Sequence, residues 1–245
     1  MIKTSSVDRS SASVDRSSLS KPGVVRSSVT KKIITGVTGL GLFIFVIFHL
    51  LGNLLIFKED PGAFNEYSHT LVSLGWILIG LELGLLVFFL FHIFYGLSVR
   101  WTGKQARSVG YYKLESGGKP SRKNLASTTM AITGVIILVF TVLHLRTFKF
   151  GPHYTTVVNG VEMRDLHRLV LEVFQNPGYV IWYVIAMVVL GFHLSYGFWS
   201  AFQSLGVYHP RLTPVLYAMG YILAIAIAAG YIAIPAWIYF TGGHP

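Results

Sequence analysis

The sequence predicts an all-α integral membrane protein, a bundle of five transmembrane helices. Composition is the first observation behind this: 53% of the 245 residues are hydrophobic and 12% are charged, so most of the chain is suited to lipid. The second is segment length. Five apolar segments, at about 33–57, 75–99, 126–148, 178–201 and 214–241, reach the roughly 20 residues needed to cross a bilayer. They are read as helices because a lone apolar run satisfies its backbone in lipid no other way. The third is charge placement. Seven Lys/Arg precede the first segment, among them Lys31 and Lys32, and seven more, from Arg100 to Lys123, separate the second from the third. On the other side Lys58, Arg146, Lys149, Arg164 and Arg168 are nearly balanced by acids. This bias predicts a cytoplasmic N-terminus and a C-terminus outside. The net charge of +10 is therefore a topology signal, and it argues against nucleic acid as a partner.

Residues 31–245 form one membrane domain, preceded by a polar, Ser-rich tail, residues 1–30. In the tail Val7-Asp8-Arg9-Ser10-Ser11 recurs as Val14-Asp15-Arg16-Ser17-Ser18, a composition that predicts disorder. The chain has no cysteine, which excludes iron–sulfur clusters, c-type haem attachment and disulfides within it. A metal here needs histidine or carboxylate ligands.

The segments carry two repeated frames. Span one has Thr38-Gly39, Phe45 and His49-Leu50; span three repeats it as Thr133-Gly134, Phe140 and His144-Leu145. Each Thr precedes its His by 11 residues, about three helical turns, so both share a helix face with the intervening Phe. Span two has Phe91-His92 and Tyr95-Gly96, and span four repeats this as Phe192-His193 and Tyr196-Gly197. Span five carries neither histidine nor charge and is expected to pack outside the other four as support.

A histidine at membrane depth is costly unless something binds it. Taken singly, each is more simply a packed or hydrogen-bonded residue. Four at matched depths instead indicate two sites of two imidazoles each, the simplest cradle for a haem iron. Each His lies in the C-terminal half of its span, and successive spans run in opposite directions. His49 and His144 therefore fall near the outer face, and His92 and His193 near the cytoplasmic face, with the levels about 15 Å apart. The expected fold has four helices enclosing two stacked b haems, with each pair bridging a diagonal. Two imidazoles fill both axial positions, so electron transfer is expected rather than oxygen chemistry. Gly96 and Gly197 leave room for a flat macrocycle, or alternatively serve tight helix packing.

Glu82, the acid well inside a span, is a candidate for quinone-linked protonation or a structural acid. His69, His153, His167, His209 and His244 are read as solvated. Arg100, Arg146 and Lys149 sit at span ends, either facing haem propionates or snorkelling to the interface. Residues 161–175 read as an amphipathic outer helix, with Met163, Leu166, Val170, Val173 and Phe174 on its apolar face.

Several motifs resemble the five-helix, dihaem cytochrome b subunit of succinate dehydrogenase/fumarate reductase. They are Thr38-Gly39…His49-Leu50-Leu51-Gly52-Asn53, Phe64-Asn65-Glu66-Tyr67, Asp165-Leu166…Asn176-Pro177, and the run from Gly191-Phe192-His193-Leu194 to Gly197-Phe198-Trp199-Ser200-Ala201 and Gly206. The likeness covers roughly residues 30–240. It implies a membrane anchor of succinate:quinone oxidoreductase (respiratory complex II) in a bacterial cytoplasmic membrane. It also implies partner flavoprotein and iron–sulfur subunits, two b haems held by His49, His92, His144 and His193, and electron exchange with menaquinone or ubiquinone. Succinate oxidation itself is then the partners' work, and the oligomeric state of the complex is left open. Some relatives carry a second histidine where Tyr196 stands, and some dihaem fumarate reductases a glutamate where Gly191 stands, which puts a proton route of that kind in doubt. The competing readings are the dihaem cytochrome b of a hydrogenase or formate dehydrogenase, and a non-haem proton-coupled transporter. A quinone pocket is expected at a membrane interface. Glu82 favours the outer side. The basic loops and docked partner favour the inner side, the one expected here.

Overall fold

The computed structural model describes residues 27–105 and 124–243; the Ser-rich tail, most of the basic connection and His244 lie outside these. Five helices are long and apolar enough to cross a membrane. Helix α1, Ser28–Asn53, continues through a tight turn at Leu54–Phe57. After α2, Gly62–Ser73, come α3, Trp76–Gln105, and α4, Leu125–His144, which ends in a widened π turn, Leu145–Lys149. The last two spans are α6, Pro177–Ser204, and α7, Leu212–Thr241. Polarity alone places span one at 33, whereas α1 starts at Ser28, because the Ser27 hydroxyl caps the Val29 N–H at 3.3 Å. Asn124 starts α4 with a reciprocal capping box to Ser127. Its amide also donates to the Tyr221 hydroxyl at 2.8 Å, tying α4 to α7.

α1 packs between α3 and α6, α4 packs on α6 and only lightly on α3, and α7 lies along α6 and touches α1. The first four spans therefore close a ring in the order α1, α3, α4, α6, with α1 opposite α4 and α3 opposite α6. Small residues permit the close approaches: a Cβ on Gly36 of α1 would stand 3.1 Å from the Ala201 carbonyl of α6, and one on Gly220 of α7 3.3 Å from Phe198. Phe198 in turn packs on Phe43 of α1, ring centres 5.0 Å apart. Gly206, at φ 82°, follows the end of α6 in the left-handed conformation that glycine adopts at helix ends. The run from Phe198 to Gly206 is thus explained as helix packing and a helix stop. α3 buries no residue; it carries exposed Trp76 and Trp101 at its two ends, as expected for interfacial aromatic belts.

The cap at the end where α1 and α4 finish differs from the sequence expectation. Residues 161–175 are not one helix. Thr155–Val158 (β1) and Val161–Arg164 (β2) pair as an antiparallel hairpin, and only Leu166–Phe174 (α5) is helical. Asn159 at φ 53° and Gly160 at φ 79° make the turn, and Asn-Gly is the residue pair such two-residue turns favour. The alternation of β2 happens to place Met163 inward, which imitates a helical step. Leu169, Val170 and Phe174 of α5 are buried, and Leu166 and Val173 pack beside them.

The residues that join the cap are those of the quoted motifs. Asn65 of α2, 3% exposed, donates to the Asp165 carboxylate at 2.9 Å and accepts the His167 N–H at 2.9 Å. Asp165 also caps α5 through the Arg168 N–H at 3.0 Å. A Cβ on Gly52 would stand 2.5 Å from the Tyr67 ring, so the end of α1 needs glycine for α2 to cross it. The Asn53 side chain donates to the His49 carbonyl at 2.7 Å.

Candidate functional site

The ring of helices brings the four histidines together in the pairs expected from depth. His49 of α1 and His144 of α4 face each other across one diagonal, ring centres 5.8 Å apart. His92 of α3 and His193 of α6 do so across the other, at 6.2 Å. Both pairs sit inside apolar helices, where nothing but a bound group or a hydrogen bond offsets the cost of a polar ring. Phe45 stacks on His49 at 5.3 Å and Phe140 on His144 at 5.6 Å, one helical turn back, as the repeated frame predicts.

Three of the four rings have a partner at Nδ1. His92 Nδ1 lies 3.2 Å from the Thr35 carbonyl. A carbonyl only accepts, so Nδ1 carries the proton and Nε2 keeps its lone pair. His193 Nδ1 lies 3.1 Å from the Thr133 hydroxyl, whose own hydrogen goes to the Met130 carbonyl at 3.0 Å, so the imidazole Nδ1 carries the proton here too. His144 Nδ1 lies 3.2 Å from the Tyr183 hydroxyl. This is the arrangement of metal-binding imidazoles, in which the second nitrogen is oriented by a partner while the first faces the metal. Thr133 shares a helix face with His144, as expected, yet its hydroxyl serves His193 from the inner pair. The sequence reading also missed Thr35, Tyr183 and Tyr231; Tyr231 of α7 donates to the Val46 carbonyl at 2.8 Å and has its ring 6.2 Å from His49. α7 is therefore a wall of the His49–His144 site as well as a support.

The donor set fits haem iron. Two imidazoles on opposite sides of one metal, with bonds of about 2 Å each, hold their ring centres about 6 Å apart. Each pair thus offers two nitrogens, the number a porphyrin leaves for the protein. Glycines flank the inner rings: a Cβ on Gly39 would lie 3.0 Å from His92 and one on Gly134 3.5 Å from His193. At Gly96 and Gly197 the nearest neighbours of an added Cβ lie 3.9 and 3.6 Å away, ordinary contact, so tight helix packing does not explain these glycines.

The chain is 24% identical over 201 residues to the succinate dehydrogenase cytochrome b558 subunit of Bacillus subtilis (strain 168), across 81% of this chain and 89% of that protein. It resembles a cytochrome b membrane anchor. The likeness runs along nearly the whole of both chains, and so extends beyond the histidine motifs. No family model matches the chain, and no solved structure matches it.

Other candidate residues fall elsewhere. Glu82 of α3 is ion-paired to Lys149 of the π turn, with both side chains more than 40% exposed. Lys149 is thereby accounted for; Arg100 Nη1 points to the Thr128 carbonyl at 3.4 Å. Gly191 packs on α7, where an added Cβ would stand 3.1 Å from the Ala228 Cβ, so a glutamate there would crowd the α6–α7 contact. His153 and His209 are exposed in loops. His69 is exposed but helical, on α2, and His167 is half-buried on α5. Burial pushes the His167 imidazole below its usual range, and the neighbouring Asp165 partly restores it.

Proposed function

We propose that this chain is the haem-carrying membrane anchor of a succinate:quinone oxidoreductase. The observation that carries the reading is the pair of facing imidazole couples, His49 with His144 and His92 with His193, in a chain similar to a succinate dehydrogenase cytochrome b subunit. In this reading each couple would hold one b haem, which would supply one-electron chemistry. The chain's own residues fix the imidazole tautomers, exclude water with apolar helix faces, and hold the two sites at two levels of one bundle. Electrons enter from an iron–sulfur subunit docked on the cytoplasmic side and leave to quinone. A flavoprotein partner oxidises succinate, and the iron–sulfur subunit carries the cluster for which this chain has no cysteine. Purification in mild detergent is expected to recover the chain with a flavoprotein and an iron–sulfur protein, and only that complex is expected to reduce quinone with succinate. Recovery of an active complex containing a hydrogenase or formate dehydrogenase subunit instead would replace the reading with its nearest competitor.

The quinone site belongs to the inner face in this reading. A groove between α3 and α4, lined by Leu97, Arg100, Ala131, Ile132, Val135 and Ile136, supports it: the walls are apolar, one cation stands in it, and Thr133 lies on the same stretch of α4. Arg100→Gln is expected to lower quinone turnover several-fold with both haems retained, and Glu82→Gln to leave it unchanged. Turnover assays with haem content checked test this; the opposite result moves the site to the outer face.

A further inference from the structure

Helices α1 with α3, and α4 with α6, repeat one arrangement around a histidine, and the two copies differ in what the histidine meets. In the first, His92 engages the backbone carbonyl of Thr35, three residues before Thr38-Gly39. In the second, the carbonyl of Met130, three residues before Thr133-Gly134, is bonded by the Thr133 hydroxyl, and His193 meets that hydroxyl. Gly39 and Gly134 flank the two rings in the same way. The hydroxyls depart from the repeat. Thr38 donates to the Ile34 carbonyl at 2.7 Å, a bond within its own helix. Thr133 stands 3.0 Å from the Met130 carbonyl and 3.1 Å from His193 Nδ1. Its one hydrogen goes to the carbonyl, which only accepts, and a lone pair is left for the imidazole N–H. Both threonines are buried, at 4% and 8% exposure, so they share a packing role and differ in this contact.

We propose that Thr133 is a positioning residue for the inner haem: its hydroxyl accepts the Nδ1–H of His193, orients that ring and adds basicity to the ligand. A more basic axial imidazole favours the ferric over the ferrous iron, so Thr133 lowers the reduction potential of the inner haem and leaves the outer one alone. The proposal rests on the haem reading above, and Thr38 is its internal control.

The test is a redox titration of both haems in the purified complex, with the low-spin ferric spectrum recorded alongside. Thr133→Val, of nearly the same shape, is expected to raise the midpoint of the inner haem only. Thr133→Ser is expected to restore it, and Thr38→Val to shift neither. Loss of the inner haem in Thr133→Val, with retention in Thr133→Ser, supports the same seat. If Thr133→Val does not assemble, Thr133→Ala is read by the same criteria. An unshifted inner potential in an assembled valine or alanine variant, an equal shift in Thr38→Val, or failure of serine to restore the wild-type value overturns the proposal. Absence of haem from the wild-type complex is a separate outcome and overturns the haem reading itself.

Discussion

Replacing His193 or His92 by alanine is expected to remove the inner haem and leave the outer one in place, and succinate-driven quinone reduction is expected to fall more than about 100-fold. The magnitude follows from what outer-shell changes alone do, a loss of about 10–100-fold in metal affinity; removing a ligand does more. The two sites are separable because each imidazole couple lies on its own diagonal, with separate Nδ1 partners: Thr35 and Thr133 for the inner pair and Tyr183 for His144. His49→Ala or His144→Ala is expected to remove the outer haem instead. Haem spectra of the four variants check this, and pairwise identity of the losses (His49 with His144, His92 with His193) is the result to look for. Any other pairing contradicts the depth assignment.

Asn65→Ala is expected to destabilise the cap by about 1–3 kcal/mol, because it leaves the part-buried His167 N–H without its acceptor and removes one of the two donors to Asp165 Oδ1. The effect reaches the outer site through α5. Phe174 packs on Tyr183 with ring centres 5.0 Å apart, and Tyr183 holds His144 Nδ1. Faster hydrogen exchange across Leu166–Phe174 and a weakened outer haem, with the inner haem unchanged, are expected. Wild-type exchange in that helix would show that Asn65 does not tie the cap to the bundle.

These two sites differ in how far the sequence discloses them. The spans were legible because the bilayer sets their length, and α1 and α7 end within a few residues of where apolarity ends. The histidine pairs were legible because two frames repeat and because depth follows from the direction of each span. The cap was not. The Asn159-Gly160 turn carries a local hairpin signal, but Met163, Leu166 and Val170 mimic helical periodicity across it. The Nδ1 partners were out of reach for a different reason. Thr35 contributes a backbone carbonyl, which any residue type supplies, and Thr133 serves a ring on a neighbouring helix 60 residues away. Same-face spacing along one helix says nothing about a contact across two.

One iron is expected between His49 and His144 and a second between His92 and His193. A density map of the purified complex tests it most directly. Two haems are expected, stacked across the membrane, the outer ligated by His49 and His144 and the inner by His92 and His193, each through Nε2. A map without haem, or one in which a single iron joins His49 to His92, contradicts it.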